Sequence, residues 1–206
     1  MSFSQILEQL YVGSHPETIE DFEILKSRCG ITAVLSLQTD EDLQERGLEW
    51  SALEASYNNL GIIPQRIQMR DFDYKDQRKT LPDAVNALAR LLSSGQTVYL
   101  HCNAGQGRSP LVAMAYLYWC QGLSFQDAVK HVRERRVCSP TTELFEVTRQ
   151  DLFCDEKLRR RISLRAYKLS KQRGIKAADP FGDWVEAERE ILKEILCQDQ
   201  KDISHF

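Results

Sequence analysis

The chain has 206 residues, of which 42% are hydrophobic and 28% charged, with a formal net charge of −3. That is one ordinary domain, or one domain plus a small appendage, apolar enough to build a core without a metal or disulfide staple. The negative balance argues against a dedicated nucleic-acid binder. The longest strongly apolar run, Pro110 to Cys120, is too short to span a bilayer. No charged start followed by an apolar stretch marks a secretory signal, and the six cysteines (29, 102, 120, 138, 154 and 197) are widely spaced without a C-x-x-C pair. These features predict a cytoplasmic protein with reduced thiols and no membrane partner.

Short β-branched or aromatic runs alternate with helical patterns over the first 155 residues. Leu10 to Gly13 reads as a short strand, and Pro16 and Thr18 introduce a helix that stops at Gly30. Ile31 to Leu37 is nearly continuous apolar sequence, the pattern of an interior strand buried on both faces. A helix is predicted over Trp50 to Leu60, a strand over Ile62 to Met69, and a helix from Asp83 to Leu92 with Pro82 near its start. Thr97 to Leu100 is a strand running straight into a glycine-rich loop. Pro110 to Trp119 is apolar nearly all round, so that helix belongs at the centre. Ser124 with Asp127 resembles a capping box for a helix to Arg136, and Pro140 to Thr142 start another through Leu152. Strands separated by helices indicate an α/β layer structure with a mainly parallel sheet.

The composition then shifts. Glu156 to Lys176 carries nine basic residues against one acidic; Ala177 to Gln198 carries six acidic against two basic. Each half has an apolar stripe, and Gly174 and Pro180 separate them, so a two-helix appendage over 156–206 follows a catalytic unit over 1–155.

The chemistry sits in His101-Cys102-Asn103-Ala104-Gly105-Gln106-Gly107-Arg108-Ser109, between a strand and a helix. Five residues between Cys102 and Arg108 can curl into a bowl of inward-pointing N–H groups. Gly105 and Gly107 permit the curvature, and the following helix adds its positive end. Such a bowl binds phosphate and stabilises a thiolate. The lysine of the nucleotide-binding P-loop is absent. A leaving oxygen also needs a proton, for which Asp71, Asp73 and Asp76 are candidates that spacing cannot separate.

This loop matches the signature H-C-x-x-G-x-x-R-[ST], and the chain resembles the cysteine-dependent dual-specificity phosphatases over most of residues 7 to 150. The likeness is closest to glucan phosphatases of the laforin and plant starch-phosphatase type. It is carried by Tyr11 to Ser14, Leu37 to Asp40, Arg70 to Asp73, Leu81-Pro82 and His101 to Gly105. The resemblance implies a dual-specificity phosphatase fold and a two-step reaction without cofactor or metal. In it Cys102 is the nucleophile, and Arg108 with the amides of Asn103, Ala104, Gly105, Gln106 and Gly107 forms the phosphate clamp. Ser109 assists the sulfur, Asp71 is the acid, and His101 supports the loop.

Phe72, Tyr11 and Tyr74 could form a substrate platform for sugar rings. Two departures weaken a glucan platform: Glu45 and Arg46 stand where plant starch phosphatases carry aromatic residues, and Ser139 stands where they carry phenylalanine. The expected partner is therefore a phosphorylated glucan or a phosphoprotein. The alternatives are a dual-specificity protein phosphatase, a non-catalytic phospho-ligand module, and a rhodanese-like sulfur transferase. The tail resembles a small prokaryotic helical domain of unknown function through Arg161-Ile162, Arg165 to Tyr167 and Trp184 to Glu190. Its helices could dock on the catalytic unit, touch substrate or pair with another subunit.

Overall fold

Residues 1–152, 154–174 and 179–197 are described in the computed structural model. In chain order they form β1 (Phe3–Leu7), β2 (Leu10–Gly13), α1 (Ile19–Ser27), β3 (Ala33–Ser36), α2 (Asp40–Gln44), α3 (Trp50–Asn59) and β4 (Ile63–Arg66). There follow α4 (Tyr74–Ser93), β5 (Val98–His101), α5 (Arg108–Trp119), α6 (Phe125–Arg133), α7 (Leu144–Leu152), α8 (Glu156–Arg173) and α9 (Pro180–Cys197). The sheet order is β1-β2-β5-β3-β4, parallel from β2 onward, with β1 added antiparallel at one edge.

The two central strands explain the layering. Every residue of β3 and β5 is buried, and alternation sends their side chains to opposite faces. Ala33, Leu35, Val98 and Leu100 join the core built with α4, α5 and α6. Val34 and Tyr99 pack on the other face with Leu25 of α1 and Leu53 and Tyr57 of α3. The apolar helix α5 is buried almost throughout, Trp119 included, as its all-round hydrophobicity predicts.

Several elements differ from the expectation. Helix α4 begins at Tyr74, eight residues before Pro82, and contains the proline. Asp73 caps it by accepting from the Lys75 and Asp76 amides at 3.1 and 3.0 Å. Proline has no N–H for the carbonyl four residues back, and that carbonyl, of Arg78, accepts from the Thr148 hydroxyl at 3.4 Å instead. Strand β1 and the short helix α2 lie in segments for which the pattern predicted no element. Helix α6 stops at Arg133 rather than Arg136, and α7 starts at Leu144.

Helices α8 and α9 form a hairpin around Leu158, Ile162, Leu169, Ala187 and Ile191. The basic and acidic halves face each other, with Arg161–Glu194 at 2.9 Å and further ion pairs Arg165–Glu190 and Arg173–Glu186. Leu192 and Leu196 of α9 enter the main core, and Asn86 of α4 donates to the Leu196 carbonyl at 3.0 Å. The appendage is thus packed against α4 and α5. Cys29, Cys102, Cys138 and Cys154 are free, but Cys120, at the end of α5, is disulfide-bonded. That corrects the expectation of reduced thiols throughout, because wide spacing in sequence does not show which cysteines the fold brings together. Among the described residues no helix is long and apolar enough to cross a membrane.

Candidate active site

The loop between β5 and α5 is shaped by what its carbonyls are given to bond. The Asn103 carbonyl accepts from the His15 amide at 3.0 Å, and the Gln106 carbonyl from the Ser139 amide at 3.0 Å. Those of Ala104 and Gly105 accept from the buried Arg136 guanidinium at 3.4 and 2.5 Å. Four successive carbonyls are drawn outward, so the peptide N–H groups on their opposite sides turn toward the concave side. Gly105 has φ +68, and a Cβ there would collide with the backbone of Gly13 at the end of β2, so the bowl closes only with glycine.

Cys102 is buried at the base of this loop. Its sulfur accepts from the Gly105 amide at 3.3 Å and lies 3.4 Å from the Ser109 hydroxyl. His101 points to the other face of the sheet, stacked on Tyr99 and 5.7 Å from the ring of His15. Its Nδ1 is 3.2 Å from the Cys102 carbonyl. Burial first, then the neighbouring His15, pushes the His101 pKa down to about 3; burial and Arg46 push that of His15 down to about 4. Both rings are neutral near pH 7.

Arg108 opens α5 and is buried. Its Nη1 donates to Asp42 Oδ2 at 2.6 Å and to the Met69 carbonyl at 2.8 Å, and its Nη2 lies 3.0 Å from Asp71 Oδ2. Burial of the Asp42 carboxyl works against its charge. Hydrogen bonds from Arg108 and the Thr39 backbone outweigh that and hold it below the usual carboxylate value. Asp71 also stands above Gly107, where an added Cβ would come within 3.9 Å of its Oδ1. Asp73 is committed to capping α4, and Asp76 accepts from the Arg70 amide at 2.7 Å. Of the three acid candidates, Asp71 is the one paired with Arg108.

The mouth of the site is lined by Glu41, Asp42, Glu45, Arg70, Asp71, Phe72 and Asp73. Phe72 is 87% exposed and, among the described residues, is the one other than glycine with positive φ, at 56°. Tyr74 is exposed at the start of α4. Tyr11 is not at the mouth. It packs against Phe3 with ring centroids 6.1 Å apart, in the core on the far face of the sheet, because its register beside Tyr99 sends it there. Glu45 does line the mouth, and Arg46 is paired with Glu17 at 3.0 Å. Sequence reasoning missed Asp42, His15 and Arg136. Thr39-x-x-Asp42 is a legible capping box, whereas Arg136 looks like the solvated end of a helix.

The family described as "Dual specificity phosphatase, catalytic domain" matches residues 10–149. Among curated proteins the chain is 35% identical over 140 residues to "Phosphoglucan phosphatase LSF1, chloroplastic" of Arabidopsis thaliana, covering 68% of this chain and 24% of that protein. It is 30% identical over 146 residues to "Laforin" of Mus musculus, covering 66% and 44%. The chain thus spans less than half the length of these relatives. Among solved structures, "Crystal structure of Tk-PTP in the G95A mutant form" aligns with a TM-score of 0.60 at 21% identity, over 75% of this chain and 98% of that one. "Crystal Structure of PTPMT1 in complex with PI(5)P" aligns with a TM-score of 0.59 at 21% identity, over 71% and 91%. These two establish the fold. With the cysteine–arginine loop in place and the match spanning the α/β unit, the chain belongs to the dual specificity phosphatase family and carries the catalytic domain of a cysteine-dependent phosphatase.

Proposed function

We propose that the protein removes phosphate from a phosphorylated glucan through a cysteinyl-phosphate intermediate. The Cys102 thiolate attacks phosphorus, the P–O bond to the sugar breaks, and Asp71 delivers its proton to the departing oxygen. Water then attacks the cysteinyl phosphate while the Asp71 carboxylate takes its proton. The S–P bond breaks, and the Ser109 hydroxyl, 3.4 Å from the sulfur, stabilises the returning thiolate. Arg108 and the inward amides of residues 103 to 108 hold the equatorial oxygens in both steps.

The observation that carries the glucan reading is Phe72, exposed beside Asp71 at the mouth, where a sugar ring could stack with its phosphate in the bowl. The names of two relatives, "Phosphoglucan phosphatase LSF1" and "Phosphoglucan phosphatase DSP4", support the same class. Glu45 at the mouth favours the second reading, a dual-specificity protein phosphatase, because a carboxylate offers no stacking face to a sugar. Phosphate release from amylopectin or glycogen, compared with release from phosphotyrosyl and phosphoseryl peptides at equal enzyme, separates the two. Glucan release well above background is expected. Background release from glucan with rapid turnover of peptides overturns the reading in favour of a protein substrate.

A further inference from the structure

The geometry points to Asp42 as a positioning residue that sets which edge of Arg108 meets the phosphate. This rests on the phosphatase reading of the site, and holds for any phosphomonoester substrate.

A guanidinium can grip an oxyanion end-on through both Nη atoms or side-on through Nε and Nη2. Here the end-on face is already taken. Nη1 donates to Asp42 Oδ2 at 2.6 Å and to the Met69 carbonyl at 2.8 Å, with the Leu37 carbonyl at 3.5 Å. Asp42 Oδ1 also reaches Nη2 at 3.4 Å. Nε, in contrast, is buried and has no partner among the described residues. A buried unpaired donor on a charged group is costly, and a phosphate oxygen is the acceptor that would satisfy it. The side-on edge is therefore the one left for phosphate. On Nη2, the incoming oxygen competes with Asp71, now 3.0 Å away.

Asp42 also acts on the bowl from a second direction. Its Oδ1 accepts from Asn103 Nδ2 at 2.5 Å, and Asn103 Oδ1 in turn accepts from the buried Gln38 at 2.6 Å. Asn103 follows the nucleophile directly, so a single carboxylate ties the first residue after Cys102 to the arginine at the end of the loop. The carboxylate is itself held in place by the α2 capping box, in which it accepts from the Thr39 amide at 2.9 Å. A negative group this close to a phosphate site would repel the ligand if it were loose. Spent on Arg108 and Asn103, it instead fixes their donors in the orientation the transition state needs.

The test uses the full chain, an aryl phosphate substrate, and vanadate and inorganic phosphate as competing ligands. Asp42→Asn keeps the shape and removes the charge. It is expected to lower kcat by about 100-fold, the scale of losing one preorganised transition-state donor, with KM changed by less than about 3-fold. Vanadate, the transition-state mimic, should weaken by at least about 10-fold more than phosphate. In an Arg108→Lys background the same substitution should cost vanadate affinity several-fold less, because the guanidinium is gone and only the Asn103 contact is left to disturb. Thr39→Ala, which removes the hydroxyl cap and keeps the carboxylate, should lower the melting temperature without moving the vanadate-to-phosphate ratio. Should Asp42→Asn fail to fold, Asp42→Glu displaces the carboxylate and is expected to show the same ratio change in smaller degree. An unchanged ratio in the folded Asp42 variant, or equal losses with and without the Arg108 guanidinium, overturns the assignment. An inactive wild-type chain would instead count against the phosphatase reading itself.

Discussion

Phe72 holds a conformation that side-chain-bearing residues adopt at a cost, φ 56°, while leaving its ring in solvent. Neither choice helps the fold: the strain is worth about 1 kcal/mol and the exposed ring buries nothing. We expect Phe72→Gly to melt no lower than wild type, the relieved strain being partly offset by a more flexible unfolded chain. The same variant should lose more kcat/KM on phosphoglucan than on a small aryl phosphate. A thermal melt and two kinetic assays measure this, and equal losses on both substrates would remove the ring from the platform. The histidine pair behind the loop makes a separate prediction. His15 and His101 titrate at about 4 and 3 in the folded protein, against an ordinary value near 6.5 in the unfolded chain. As pH falls below about 6.5 the unfolded state takes up these protons and the native state does not. The stability present above that pH is therefore lost progressively toward pH 4, by up to about 1.4 kcal/mol per pH unit for each histidine. A urea-melt series across pH 4 to 7 should show this slope, and His15→Gln should roughly halve it, leaving the His101 contribution.

At the scale of elements, what could be read in the sequence is what the chain repeats or punctuates. The loop from Cys102 to Arg108 is bracketed by an apolar strand and an apolar helix, and both formed where the pattern put them. The α8 and α9 stripes were legible for the same reason. Helix α4 was not, because its first two turns carry Lys75, Gln77, Arg78 and Lys79, and Pro82 mimics a start signal. Where the helix runs through the proline, the Thr148 hydroxyl, distant in sequence, gives the Arg78 carbonyl a partner. Tyr11 failed as a platform residue for a register reason: a side chain one position along a strand points to the other face. Asp42 sits in a five-residue helix too short for any periodicity, so its partnership with Arg108, 66 residues away, left no trace beyond the capping box.

The whole molecule binds its tail to its chemistry more tightly than a two-part reading of the sequence suggests. Leu192, only 3% exposed, sits in the main core alongside residues of α4 and α5. Leu192→Ala should cost roughly 2–5 kcal/mol and lower the melting temperature of the entire chain in one transition. A separate early transition confined to the tail would show that α8 and α9 are an independent unit. Helix α4, on which α9 rests, opens at the Asp73 cap, two residues after Asp71. A disturbance of the tail can thus reach Asp71, the proposed proton donor, along α4 without touching Cys102. Such damage would be nearly silent with an activated aryl ester, whose oxygen departs well without a proton. It would be plain with an alkyl phosphate such as a sugar ester, whose oxygen does not, so the leaving group chosen for the assay decides whether the tail looks dispensable.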